Sequence, residues 1–261
     1  MPELPEVEAA SRLLSRAALG KTIASVRAIH PALKRKLPPA RARRAKGKRI
    51  EKVERRGKHQ LLSLDNGDTL VVHFRMNGDW EIGTVGDALD RFARAVLELD
   101  DGTRVSLVDR RALSSITLDT KGTSSLPRLG REASDPTLDA QYLRGELKRR
   151  KIAIKPALMD QSILAGLGNI YAVEALWEAE LNPRTLSPKI SLAKLEKLVN
   201  AIKLVLSPVK RRPGRYTEKR GVGRFAVYDR EGKVCRRCGA TIKRIPQAGR
   251  STYFCPGCQR G

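Results

Sequence analysis

The chain has 261 residues, with 52 lysines and arginines against 28 acidic residues and a formal charge of +24. Such a surplus makes a polyanion the natural partner, nucleic acid first and an acidic membrane surface second. A 41% hydrophobic content supports a core of about two domains, while no apolar run reaches the roughly 18 residues that span a bilayer and no apolar signal region opens the chain; a membrane protein and a disordered basic tail are excluded, and a cytoplasmic protein is expected.

Met1-Pro2-Glu3-Leu4-Pro5-Glu6 opens the chain. Loss of Met1 would leave the secondary amine of Pro2 beside the carboxylate of Glu3, a nucleophile next to an acid. An α-amino group has a pKa of about 7.7–8.0, so a useful fraction is uncharged at neutral pH. The plainer alternative is an exposed proline- and glutamate-bearing tail. Val7, Ala10, Leu13, Leu14 and Ala17 then predict a helix over 5–19, stopped by Gly20.

From Thr22 to Ile116 the pattern becomes β-rich, as in 60–64, 69–74 and 95–99, with Asp65-Asn66-Gly67-Asp68 and Asp100-Asp101-Gly102-Thr103 as hairpin turns. An antiparallel sandwich or barrel is expected. The basic run from Lys34 to Lys58 reads as a charged, solvated loop whose field faces DNA. Residues 121–136, rich in Gly, Ser and Pro, form the expected hinge between a lobe over 1–120 and a second lobe over 137–224. Helical spacing in 138–148, 155–161, 169–179 and 191–206 makes that second lobe mostly α. Residues 207–224 read as a basic loop, and 225–261 as a separate finger.

All four cysteines lie in that last segment, as Cys235-x2-Cys238-x16-Cys255-x2-Cys258. Two paired thiols across a short excursion suit a tetrahedral four-thiolate zinc site, with a redox dithiol as the alternative. Four thiolates leave no open coordination position, so the metal would be structural. Lys243, Arg244, Arg250 and Tyr253 in the excursion would turn positive charge outward.

Three separated motifs now coincide: the Pro2–Glu6 terminus, Lys155-Pro-Ala-Leu-Met-Asp-Gln-Ser-Ile-Leu-Ala-Gly-Leu-Gly-Asn-Ile-Tyr-Ala172, and the four-cysteine finger. Together they resemble the formamidopyrimidine-DNA glycosylase and endonuclease VIII family of base-excision repair enzymes over nearly the whole chain. The resemblance implies an α+β, two-lobed protein: an antiparallel β-sandwich lobe with flanking helices, then a helical helix–two-turn–helix lobe with a zinc finger, and damaged DNA between them. It implies Pro2 as the nucleophile at C1′ of the damaged nucleoside, Glu3 as acid and proton shuttle, and Lys58 as the cation beside the lesion. It also implies phosphate clamps at His73, Asn169 and Arg250. Without the motif, His73 would read as a core histidine, and Tyr171 and Trp177 read as core aromatics. Met76, Arg111 and Leu113 match the side chains that fill the hole left by a flipped base. One structural Zn2+, a monomeric state, double-stranded DNA with damaged bases or abasic sites as partner, and a nucleoid-associated place in the cytoplasm complete the expectation.

Two departures bear on substrate. Leu113 stands where the family's Asp-Pro-Arg-Arg-Phe pattern has its aromatic wedge, and Arg110 replaces the proline. The segment Arg211–Arg224 is shorter than the lesion-capping segment of the 8-oxoguanine branch and lacks its Gly-Gly-Thr-Thr-like run. Oxidised purines remain the first expectation, with an oxidised-pyrimidine glycosylase or a non-catalytic damage binder of the same fold as alternatives. A zinc-finger regulator would explain charge and cysteines but not the amino terminus.

Overall fold

The amino-terminal helix α1 spans Leu4–Ala18, with Glu3 as its extended N-cap. The Glu3 N–H donates to Glu6 Oε2 at 3.0 Å, and the two residues form a reciprocal capping box. Pro5 sits in the first turn, where its missing N–H costs nothing. Leu4, Val7, Ala10, Leu14 and Ala18 bury one face, and a core leucine of this kind is worth about 2–5 kcal/mol against alanine. The computed structural model describes residues 2–207 and 225–260. The chain divides into two compact units, Met1–Pro127 and Arg128–Gly261.

In the first unit the strands are β1 (Ile23–Ala28), β2 (Ile50–Arg56), β3 (His59–Leu64), β4 (Thr69–His73), β5 (Asp79–Thr84), β6 (Ala93–Leu99), β7 (Thr103–Val108) and β8 (Ser115–Asp119). They form two open antiparallel sheets, ordered β1-β6-β7-β5 and β2-β3-β4-β8, rather than a closed barrel. Their inward residues, among them Leu62, Leu70, Val72, Trp80, Leu97 and Leu107, share one core with α1. Both expected turns close hairpins, β3–β4 and β6–β7.

The basic run is more ordered than a solvated loop. Helices α2 (Pro31–Lys34) and α3 (Pro39–Ala42), a 3-10 turn at Arg43–Ala45 and β2 occupy it and the residues just before it. Leu33, Leu37, Ala42, Ala45 and Ile50 are all buried, which pins the backbone while most of the intervening cations stay exposed.

Register decides where the loops emerge. His59 pairs with His73, and His73 with Ser115, in one sheet. In the other, Val108 pairs with both Asp79 and Ala93. The turn 57–58 and the crossings 74–78 and 109–114 therefore leave the same end of the sandwich.

The second unit holds α4 (Ala140–Leu147), α5 (Ile154–Met159), α6 (Asn169–Glu178) and α7 (Leu192–Leu206), close to the predicted helices. Residues 170–176 of α6 are buried on every side, the mark of a central helix. The stretch expected as a hinge belongs in part to this unit's packing. Within it β9 (Arg131–Glu132) pairs in parallel with β10 (Leu164–Ala165), and Ala133 is fully buried. Gly130 is required there, since a Cβ would lie 2.1 Å from the Ile163 carbonyl oxygen. A hairpin of β11 (Lys243–Gln247) and β12 (Arg250–Phe254) forms the finger's arm. Among the described residues no helix is long and apolar enough to cross a membrane.

Candidate functional site

Pro2 and Glu3 are both buried at the start of α1, Glu3 with 1% exposure. A strut that the sequence does not reveal joins this helix to the Lys58 turn. Arg55 donates from Nε to Glu8 Oε2 at 2.8 Å and from Nη1 to the Gly57 carbonyl at 2.8 Å. Burial alone would raise the Glu8 carboxyl, but Arg55 and then Arg12 hold it below the usual carboxylate range. Gly57 has φ +57°, as the first position of a II′ hairpin turn requires, so Lys58 is fixed at the tip.

His73 packs edge-on against His59, with ring centroids 4.6 Å apart. Its Nδ1 accepts the Arg75 N–H at 2.9 Å, which puts the proton of the neutral ring on Nε2. Burial, followed by the charges of His59, Arg75 and Lys58, pushes its pKa down to about 3. The neutral ring can thus donate to a phosphate across the whole physiological range. Since the unfolded value is about 6.5, the contribution of this group to stability is complete above that pH and declines as pH falls towards the folded value. An NMR titration of His73 in the free protein should show no inflection between pH 5 and 8; an inflection near 6.5 would refute the buried, neutral assignment.

Met76 lies in the crossing Phe74–Gly78, where Arg75 adopts φ +53°. Gly78 is needed because a Cβ would sit 2.8 Å from the Phe74 backbone. Arg111 and the exposed Leu113 belong to a loop organised by one buried carboxylate. Asp109 Oδ1 accepts the Arg111 N–H at 2.9 Å, and Oδ2 accepts those of Leu113 and Ser114 at 2.8 Å each. Lys58, His73, Met76, Arg111 and Leu113 thus gather at one end of the first unit.

In the second unit Asn169 opens α6 after Gly166-Leu167-Gly168. Gln161 braces that loop, donating to the Met159 and Leu167 carbonyls and accepting the Gly166 N–H. Asn169 Nδ2 donates to the Ser251 carbonyl at 3.0 Å, which ties it to the residue after Arg250. Arg250 itself is exposed beside the tight turn Ala248–Gly249, where both residues have positive φ. The structure therefore brings Asn169 and Arg250 together. Tyr171 is a core aromatic, as expected; Trp177 is partly buried, packs against the cluster around Val173 and Val227, and carries Arg237 on its ring at 4.0 Å.

Glu174 is a second feature missed from the sequence. Its buried carboxylate accepts the N–H groups of Ala226, Val227 and Tyr228 at 2.8, 2.9 and 2.8 Å. Burial raises its pKa, against the pull of those three bonds. A lone carboxylate within the apolar run 170–177 was the available signal. The segment Arg211–Arg224, on which the lesion-capping argument rests, lies outside the described residues.

The four Sγ atoms lie within 4.8 Å of one another, with Cys238–Cys255 at 3.4 Å and Cys235–Cys258 at 3.9 Å. Tetrahedral Zn–S bonds near 2.3 Å require S–S separations of about 3.8 Å, so the donors fit. Gly257 leaves the necessary room, since a Cβ there would be 2.8 Å from Cys238 Sγ. Burial and the neighbouring sulfurs push Cys258 up to about 12, so four thiolates need a cation to share the site.

Sequence profiles place the chain in named domains: the formamidopyrimidine-DNA glycosylase N-terminal domain over residues 1–116, the H2TH domain of the same enzymes over 129–215, and the zinc finger found in FPG and IleRS over 232–261. The chain belongs to the formamidopyrimidine-DNA glycosylase family. Its sequence is 36% identical to the formamidopyrimidine-DNA glycosylase of Ruegeria pomeroyi, covering 100% of both chains. It is 39% identical to that of Chloroflexus aggregans, covering 99% of this chain and 98% of the relative. The Lactococcus lactis enzyme, solved non-covalently bound to DNA with an abasic site, superposes with a TM-score of 0.90 at 28% identity over the whole of both chains. MutM in complex with DNA containing carbocyclic 8-oxo-G superposes at 0.89 with 29% identity, again over both whole chains. Membership makes the chain a DNA glycosylase with one structural zinc on its four cysteines.

Proposed function

We propose that this glycosylase excises oxidised purines of the 8-oxoguanine or formamidopyrimidine type from duplex DNA and then cleaves the abasic strand, working on the nucleoid within the cytoplasm. After Met1 is removed, the Pro2 nitrogen forms a bond to C1′ as the glycosidic bond breaks. Glu3 supplies the proton that opens the sugar. The resulting iminium acidifies the C2′ protons, so β- and then δ-elimination expel the two phosphates without a metal. Lys58 places a fixed cation beside the reacting nucleotide. His73 Nε2–H, Asn169 and Arg250 hold backbone phosphates while the base is unstacked at a cost of a few kcal/mol. Met76, Arg111 and Leu113 fill the vacated stack.

The observation that supports this reading best is the common emergence of the Lys58 turn, the Met76 crossing and the Asp109 loop at one end of the first unit, with Arg55 joining that end to α1. Borohydride trapping of Met1-processed protein tests it on duplexes carrying 8-oxoguanine, an oxidised pyrimidine or an abasic site. An adduct on Pro2 with the 8-oxoguanine duplex is expected. Trapping confined to abasic DNA would overturn the glycosylase assignment to purines, and tight binding with no adduct would overturn the lyase chemistry.

A further inference from the structure

Phe92, just before β6, carries three guanidinium groups about its ring: Arg91, Arg110 and Arg94 lie 4.6, 5.3 and 5.7 Å from its centroid. Arg94 is a strut, since its Nε donates to the Asp109 carbonyl at 2.6 Å. The Asp109 N–H in turn donates to the Phe92 carbonyl at 2.9 Å, so the two loops are bonded together and the ring is fixed beside Arg110. Arg91 and Arg110 are exposed, and among the described residues neither guanidinium has a hydrogen-bond acceptor or a carboxylate partner beyond this ring. Their guanidinium carbons are no farther apart than their two ring distances laid end to end, about one Debye length (roughly 10 Å at 0.1 M salt). They therefore repel one another.

The carboxylates adjoining them in sequence are turned to the backbone. Asp90 Oδ1 accepts the Phe92 N–H at 2.6 Å, and both Asp109 oxygens are taken by the loop that follows. Like charges held together on a rigid ring gain most from an anion placed between them, and a stacked guanidinium keeps its edge N–H groups for bidentate bonds. Against the Asp-Pro-Arg-Arg-Phe pattern of the family resemblance, Arg110 stands at the proline and Ala112 at the second arginine, so a cation stands beside the Phe92 ring where that pattern has none.

We propose that Arg91 and Arg110, held on Phe92, form a phosphodiester grip on the DNA backbone, in addition to His73, Asn169 and Arg250. The inference rests on the DNA-repair reading above. The test is anisotropy of a labelled duplex containing a tetrahydrofuran abasic analogue, titrated across a salt series. Wild type should bind with a steep negative slope of log affinity against log salt; no such slope would remove the DNA reading itself. Given that slope, Arg91→Ala/Arg110→Ala should reduce its magnitude by about 0.9, the value of one neutralised phosphate. Arg16→Ala, an exposed charge on α1, serves as the control for net charge. Phe92→Leu, which keeps both cations but removes their platform, should raise Kd several-fold. A double variant no different in slope from Arg16→Ala would overturn the grip. So would a Phe92→Leu protein that binds as wild type does, because the ring would then hold nothing of consequence.

Discussion

Glu3→Gln should lower base excision by roughly two to four orders of magnitude, the usual effect of removing a positioned acid, while affinity for a duplex carrying a non-cleavable abasic analogue should stay within a few-fold of wild type. The two effects separate because the residue has two roles. Its carboxylate is the proton source proposed for ring opening, and its backbone begins α1 through the capping box with Glu6. Glutamine keeps an oxygen that can accept the Glu6 N–H but loses the charge and the transferable proton. An N-cap change costs about 0.5–2 kcal/mol, against a total of about 5–15 kcal/mol for a folded domain, so the variant remains folded with a modestly lower Tm. Single-turnover excision of 8-oxoguanine and anisotropy on the abasic analogue are the paired measurements. Excision equal to wild type would remove Glu3 from the mechanism. A parallel collapse of binding would show that its role is structural alone.

Cys238→Ser should abolish stoichiometric zinc and weaken DNA binding by about a hundredfold or more. The argument is one of scale. The buried cluster that the finger forms with Val173 of α6 is completed by Val227, Cys235, Ile242 and Cys255, so two of its five members are themselves metal ligands. So small a core cannot hold a hairpin, whereas zinc bound by four thiolates contributes about 10–16 kcal/mol to folding such a module. When the finger unfolds, the β11–β12 hairpin goes with it. Asn169 then loses its bond to Ser251, and Arg250 loses the tight turn beside it. Two proposed phosphate contacts are lost through one ligand. Zinc content and Kd measured on the same preparation decide the matter: a metal-free protein that binds DNA as well as wild type would break the link between the finger and the interface.

Where side-chain spacing carried the information, the fold was legible in the sequence. Apolar residues at helical intervals marked α1 and α7, and Asp-Asn-Gly-Asp and Asp-Asp-Gly-Thr marked two hairpins. Residues 31–45 were harder, because α2 and α3 are each a single turn started by a proline and too short to show a period. Their buried Leu33, Leu37 and Ala42 are scattered among arginines and lysines. The cysteine site was readable because its ligands come in close pairs. Arg55 and Glu8 are 47 residues apart, and Glu174 and Ala226 are 52 apart, so nothing local signals either bond. Pro2 stood out from the residues alone, as an amine beside an acid, whereas the expected roles of Lys58 and His73 came from resemblance, since each alone is an ordinary residue in an ordinary setting.

Asp109 fixes its loop through backbone N–H groups, and the side chains of Arg110, Ala112 and Leu113 take no part in that framework. Scaffold and cargo are thereby uncoupled: what the loop presents can drift while its course stays constant. An enzyme built this way can change the side chains that its loop presents by single-codon substitutions, with little risk to folding.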